Sequence, residues 1–543
     1  MKKSLSVFLS VLLLIPLLSG CSDTSDKKSG NNQGPALLSM SVSAPTAVPT
    51  AAPTATPVPQ SSMDRIFEYI VLEDGTAMIT HINYSHISSE YPITVDGLQV
   101  TGIGDYLYPD TDRVPSVTIP NYITRIGENP FRHLRNLDNI TVSPDHPTLE
   151  INDGILFSKP DRRLVYCPYS LSLSSYTIPD GTKTIGGYAF RNCSMYSVTI
   201  PESVTDIREG AFYDCRYLSS VTIPRSVTSI GNSAFCGCES LRYVDIPYGV
   251  TFIGGLAFCG CPLNSITIPA SVTGIGYAAF CRCPLTDISI PGSVIYIDSK
   301  AFCGCNYLRT VTLQDGLTEI GNDAFSLCYQ LSSINIPDSV TYIGANAFED
   351  CPRLKSITIP NGVKKINDRT FIRCSGLTSV SIPVSVFSIG ERAFCDCSSL
   401  TSITIPKHVR TIKEAAFSGC SSLTSMSLPD KLTRIEDDTF YECSSLESVT
   451  IPDGVTSIGE YAFYRCYSLK TVRIPESVTS IGYAAFSHDD SVQLIVSPGS
   501  YAEQYCVQNN IPYAYPESAS GNGPESATAY EPTRQIRHLP SRS

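Results

Sequence analysis

The chain has 543 residues, a formal net charge of −12 and a pI near 5.1, a balance that argues against nucleic acid as a partner. Only 17% of residues are charged against 42% hydrophobic, and Ser and Thr are abundant, so a neutral, hydroxyl-rich surface is expected. The length suits one long repeat domain with tails, because a solenoid grows without needing a second globular core.

In chain order, the first segment reads as an address. Lys2 and Lys3 precede an apolar run from Leu5 to Leu18 that is too short to span a membrane comfortably and is shaped like a signal peptide. Leu18-Ser19-Gly20-Cys21 resembles the bacterial lipobox. That resemblance implies cleavage after residue 20, a thioether lipid on Cys21 and a protein held on the extracellular face of a bacterial envelope. The alternative is an ordinary secretory signal with an incidental Cys. Residues 21–61 then form a lipid-anchored, Pro/Thr-rich linker, exemplified by Ala44-Pro45-Thr46-Ala47-Val48-Pro49-Thr50, with too little apolar bulk to fold.

Residues 62–175 carry a cap, irregular repeats and an insertion. Phe67-Glu68-Tyr69 and Gly75 to Thr80 predict two short strands around a turn. Ile119-Pro120 with Ile126 and Phe131 makes one atypical repeat, as expected where a terminal coil has one uncovered face. Within 138–175, Asn152 to Phe157 and Leu164 to Tyr166 predict an inserted hairpin.

From residue 176 to 490 a unit such as SSVTIPRSVTSIGNSAFCGC, residues 219–238, returns about every 23 residues. An Ile follows the Pro position by six residues, and a Phe follows that Ile by five in all fourteen units from Phe190 to Phe486. A fixed period of this length is a solenoid signature, in which each unit buries its apolar side on its neighbours. Val221 and Ile223 alternate with Ser220 and Thr222, the periodicity of a strand with one buried face. Pro224 ends the strand, Val227 and Ile230 turn inward, and Ala234-Phe235-x-x-Cys238 has the spacing of a short helical turn. Nine of fourteen units place Gly after the Ile; Arg208, Asp298, Asn367, Lys413 and Glu436 occupy that place elsewhere, so a positive φ there is not obligatory. Leu494 to Val496, Ser500 to Asn509 and Ile511 to Tyr515 predict a strand, helix and strand as a C-terminal cap over 491–516; residues 517–543, rich in Ser, Pro and Gly, are expected to be a disordered tail.

The pattern L-x-x-V/I-T-I-P-x-x-V-T-x-I-G-x-x-A-F-x-x-C resembles the BspA-type leucine-rich repeat of bacterial and protist surface proteins, over roughly residues 62–516. The resemblance implies an α/β-type repeat solenoid, the right-handed leucine-rich-repeat superhelix, with strand-rich coils of about 23 residues and short helical turns. It also implies a cell-surface scaffold or adhesin that binds protein ligands on host or microbial surfaces, without naming one.

The 21 cysteines fall into sets. Thirteen, from Cys193 to Cys466, lie three residues after the Phe and read as an internal ladder of small buried thiols. Cys236, Cys259, Cys281 and Cys303 instead begin a Cys-x-Cys in four successive units, with Cys395 later. Tyr213, Ser326, Glu349, Ile372 and Tyr441 hold this place elsewhere, which marks it as outward. Simple thiols are the preferred reading; intercoil disulfides and zinc ligation are the alternatives. No metal or other cofactor is expected. The seven His residues are scattered, no nucleophile sits in a strand-turn-helix context and no phosphate loop is present, so an enzyme is not expected.

What remains is surface. Two outward columns run along the strands, one through Ser197, Ser220, Tyr243, Ser265, Asp287 and Thr310, the other through Thr199, Thr222, Asp245, Thr267, Ser289 and Thr312. Tyr243, Asp245 and Asp287 depart together from the Ser/Thr background over three neighbouring coils, an aromatic flanked by carboxylates that suits a recognition patch on a concave sheet. A monomeric adhesin is the leading reading and a carbohydrate-binding surface lipoprotein the alternative, which 30 Tyr permit and the absence of Trp weakens. Ice binding is disfavoured, because the inner column is mostly Ser and the horseshoe should curve.

Overall fold

A computed structural model describes residues 59–516, apart from 63–65, 84–89, 169–170, 489–491 and positions 106, 129, 135 and 172. The signal peptide, Cys21, most of the linker and the tail from 517 onward lie outside the described residues. Gln60–Ser61 already pairs antiparallel with Tyr69 and Glu68, so paired structure begins within the last two residues assigned to the linker.

The N-terminal part opens with Phe67–Val71 and Ala77–Ile82 as an antiparallel pair, followed by Leu98–Ile103 in parallel with Ala77–Ile82. Ser116–Ile119 pairs in parallel with Asn139–Val142, the first repeat-like coil step. His146 is buried here: its Nδ1 accepts the Thr148 and Leu149 amides at 3.3 and 3.0 Å, and Nε2 lies 3.2 Å from the Pro120 carbonyl. The two amides on Nδ1 require the neutral ring protonated at Nε2. Burial pushes its pKa below the ordinary 6.5. The neutral ring therefore contributes stability that is present above about pH 6.5 and is lost as pH falls towards the lower folded value. We expect thermal unfolding of this part to shift down between pH 7.5 and 5.5, and His146→Asn to flatten the slope while lowering stability at both values; His133, pushed down mainly by burial, leaves a residual slope. An unchanged pH slope in His146→Asn refutes this.

The insertion is a three-stranded antiparallel meander of Leu149–Asn152, Ile155–Ser158 and Arg163–Tyr166. Its second and third strands are buried throughout. Alternation sends Ile155, Phe157 and Leu164 into the core of the regular coils, and Leu156, Val165 and Leu149 into a separate N-terminal core with Ile79, Ile103 and Phe131. The insertion is thus a shared wall between two cores, and its last strand pairs in parallel with Thr184–Ile185 to start the repeat ladder.

The regular coils then follow one course. The segment Leu-x-x-Val/Ile-x-Ile runs along the front, as a strand in most coils such as Ser220–Thr222, with Leu218, Val221 and Ile223 inward. After the Pro, a two-residue strand ending in the inward Ile, as in Ser229–Ile230, forms the second ladder, and eleven strands from Leu149–Asn152 to Tyr342–Ile343 join in one sheet. The chain next turns around the Phe. Rings from Phe190 to Phe486 stack without interruption, with centroids 5.0 to 5.8 Å apart and planes within 14° of parallel. Behind them the inner cysteines are buried, and from Cys215 to Cys466 each thiol donates to the carbonyl of the preceding coil's Phe, for instance Cys238 to Phe212 at 3.2 Å.

The segment expected as a helical turn does turn through i→i−3 bonds, with Ala234 donating to Gly231 and Cys238 to Phe235, but it goes no further as helix. Residues two before and two after each of the fourteen Phe have positive φ, as at Ser233 and Gly237 or Leu256 and Gly260. Left-handed residues break a right-handed helix into successive tight turns. Most of these positions are not Gly, and intercoil bonds such as Phe235 to the Ala257 carbonyl and Gly237 to that of Cys259 hold them. Leu256→Gly should therefore stabilise the chain, since relief of about 1–2 kcal/mol of left-handed strain exceeds the entropy cost of Gly; a lower denaturation midpoint would refute it. The Gly after the Ile serves a different need. A Cβ at Gly254 would lie 2.5 Å from the Gly231 carbonyl carbon, so the requirement is close approach of neighbouring backbones, not φ. Nothing in the structure explains why Arg208 and its four counterparts are tolerated there.

The far end matches expectation. Gln493–Ile495 adds to the front ladder, the helix Tyr501–Asn509 is capped by the Ser500 side chain accepting from the Glu503 amide, and Tyr513–Ala514 pairs last. Among the described residues no helix is long and apolar enough to cross a membrane.

Candidate binding face

The front strands leave one face of every coil to solvent. Alternation fixes this: Val244 and Ile246 are buried, while Tyr243 and Asp245 point out. Tyr243 is 67% exposed and projects from this face. Asp287 is exposed in the same column as Tyr243, two coils on, or about 10 Å at parallel-strand spacing. Its carboxylate accepts a hydrogen bond from the Thr310 hydroxyl on the next coil, so it is held in place along the column. Tyr243 and Asp245 therefore share one coil face, and Asp287 flanks them beyond the intervening Ser265.

One aspect of this region is not visible from residue types. Residues 241–247 and 263–268 form no strand, whereas the coils on either side do, as Ser197–Thr199 with Ser220–Thr222 and as Asp287–Ile290 with Thr310–Leu313. Tyr243 and Asp245 sit in a gap between two front sheets.

A second set of exposed apolar residues lies on the other ladder and escaped the sequence reading. Phe252, Gly274, Tyr296, Glu319 and Tyr342 are successive partners in the two-residue strands. The Tyr296 ring lies directly over Gly274, and the adjacent Ile295 is 47% exposed. The signal was available: the position before the inward Ile is polar in most coils, and these aromatic residues depart from it. Beyond this ridge the surface becomes charged, with ion pairs between coils such as Arg369 to Glu391, Lys413 to Asp368 and Arg465 to Glu442.

The hydroxyls that fill the remaining columns are largely structural. Thr251, Thr273, Thr318 and Thr341 each donate to the main-chain carbonyl one coil back, and Ser226, Ser271, Ser339 and Ser385 do the same in a parallel column. The outer cysteines are half-buried rather than fully outward. Among the described residues no group of three or more His, Cys, Asp or Glu is arranged to hold a metal, so the zinc alternative finds no ligand set.

A model of the BspA type leucine rich repeat region matches residues 68–157, 165–286, 273–401 and 387–510. The chain belongs to the BspA-type leucine-rich-repeat family. Similar solved structures include a leucine-rich repeat protein from Bacteroides ovatus, 23% identical over 79% of this chain and 98% of the other, with a TM-score of 0.40. A leucine rich cell surface protein from Faecalibacterium prausnitzii is 28% identical over 80% and 97% of the two chains, with a TM-score of 0.35. A pneumococcal vaccine antigen is 16% identical over 67% and 96%, with a TM-score of 0.37. No curated protein matches the sequence. In this BspA-type chain the repeated residues are accounted for by packing and coil-to-coil hydrogen bonds, which leaves function to the residues that depart from the repeat.

Proposed function

We propose that this protein is a non-catalytic binding scaffold displayed on the extracellular face of a bacterial envelope, anchored through lipidated Cys21 and acting as a monomeric adhesin for protein ligands on host or microbial surfaces. The observation that carries the reading is the Tyr243, Asp245 and Asp287 patch, where a face that is Ser or Thr in most coils gains an exposed aromatic ring and two carboxylates. Exposed aromatic anchors ringed by polar groups are the usual centres of protein recognition. The lipobox-like residues before Cys21 support the location, and the Pro/Thr-rich stretch would hold the scaffold away from the membrane.

The test is binding of the purified protein, and of a Tyr243→Ala/Asp245→Ala/Asp287→Ala variant, to matrix proteins, mucins and intact bacteria. Wild type should bind at least one of them, and the variant should bind at least about tenfold more weakly, the consequence of losing more than about 1.4 kcal/mol at an interface centre. Equal binding by both moves the site to the ridge of Tyr296 and Tyr342. Carbohydrate capture is the second reading, favoured by exposed Tyr rings such as Tyr196 and Tyr217, which meet edge to face at 6.1 Å. A glycan-array signal without protein binding selects it.

A further inference from the structure

The four outer thiols hold the same place, one residue after the Phe, in four successive coils, and stack in one column. The main chain beside them is tied as well, with Gly237 donating to the Cys259 carbonyl, Gly260 to that of Cys281 and Arg282 to that of Cys303, at 2.8 to 2.9 Å. All four are free and half-buried, in contrast with the fully buried inner thiols that are occupied by Phe carbonyls. The Phe rings one residue before them repeat at 5.4 to 5.5 Å from coil to coil, inside the range of roughly 4.4–6.8 Å between Cα atoms that a disulfide spans. The Cβ atoms must close by about 1.5–2 Å to reach their preferred separation.

We infer that this column is a dithiol–disulfide site that takes up two intercoil bridges, Cys236–Cys259 and Cys281–Cys303, by exchange with an external disulfide. In each exchange a Cys thiolate attacks one sulfur of the external disulfide, forming a mixed disulfide and expelling one thiolate. The neighbouring Cys thiolate then attacks the protein sulfur and expels the second. The net change oxidises two protein thiols to one disulfide and reduces one external disulfide to two thiols, with the two protons leaving to solvent or to the released thiolates. End pairing uses all four groups. A central Cys259–Cys281 bridge would strand two, and Cys236 can resolve it by attacking Cys259 and freeing Cys281. The neighbouring thiols, and after them burial, push Cys259 and Cys281 up to about 12, so the reduced site resists oxidation at neutral pH and reacts faster in alkali.

The placement gives the site a use. Three regular coils lack a front strand, those following Phe235, Phe258 and Phe394, and each carries an outer Cys: Cys236, Cys259 and Cys395. Bridging Cys236 to Cys259 would cross-link the two consecutive strandless coils, the first of which bears Tyr243 and Asp245. Cys395 has Ile372 and Ser418 as its column neighbours and is a built-in control.

The experiment treats the native full chain with oxidised glutathione at pH 8.5, alkylates the remaining thiols under denaturing conditions and maps non-reduced tryptic peptides by mass spectrometry. Cys259 and Cys281 share the peptide 243–282, whereas Cys236 lies in 226–242 and Cys303 in 301–309. The expected product joins all three peptides through two disulfides, a loss of four alkylatable thiols, with Cys395 remaining a thiol or carrying glutathione. A Cys236→Ser/Cys281→Ser variant, which should fold because Ser326 and Ser418 occupy the same place, should give no cross-link. Separate peptides with alkylated or glutathione-capped cysteines would overturn the site, and a stable bridge internal to 243–282 would overturn the pairing.

Discussion

Phe302→Ala is expected to destabilise the protein by about 3–5 kcal/mol, read as a lower denaturant midpoint. Phe302 is fully buried, and its ring stacks at 5.4 Å on both Phe280 and Phe325. Removing it leaves a cavity lined by two aromatic faces that the backbone cannot close, because the coil spacing is fixed by hydrogen bonds such as Phe302 to the Ala324 carbonyl. In a quasi-one-dimensional array such a gap also weakens the coupling between the coils on either side. Phe486→Ala, with one stacking partner in Phe463, should cost less. Equal losses at the two positions would show that stacking between rings adds nothing to burial.

Arg163→Ala is the second large effect, about 2–3 kcal/mol, but confined to one end. The Arg163 guanidinium is 5% exposed and lies in the wall between the two cores. It donates to the Gly127 and Ile126 carbonyls at 2.9 and 3.0 Å and pairs with Asp161 at 2.9 Å. Its removal leaves two half-buried carbonyls without this donor and Asp161 without its cationic partner. Hydrogen exchange should rise across residues 67–142 and stay unchanged across the coils from Phe212 to Phe486. A uniform rise along the whole chain would contradict the two-core arrangement. Arg163→Lys should recover only part of the loss, because one ammonium cannot reproduce a planar fork aimed at two carbonyls and a carboxylate.

Much of this was legible beforehand, for reasons that lie in particular residues. The coil length, the inward Leu, Val, Ile and Phe, the buried inner thiols and the strand-helix-strand cap all follow from spacing, because burial selects residue type strongly at those positions. The left-handed pairs around each Phe were not legible. Tyr188, Lys300 and Arg392 carry no mark of positive φ, and the strain is held by bonds from the next coil. Nor could spacing show that the insertion has two buried faces, since a run such as Ile155-Leu156-Phe157 looks the same whether one core or two receives it. Arg163 was passed over because an Arg within a strand gives no sign of whether it is exposed or enclosed. In the candidate patch, Tyr243, Asp245 and Asp287 were read as outward and are so, but the break in the front ladder beneath them depends on backbone geometry that residue identity does not report.

The hydroxyl and thiol bonds between coils have a consequence for how such a chain changes over generations. Each coil offers its predecessor the donors that its successor offers to it: Thr251 to the Thr228 carbonyl and Thr273 to that of Thr251, Cys261 to Phe235 and Cys283 to Phe258. The lattice of contacts is therefore translationally symmetric, and gain or loss of a whole coil by unequal recombination leaves no orphaned donor, no cavity and no mismatched ring. Reach can be lengthened or shortened in steps of about 23 residues while the two ends stay as they are.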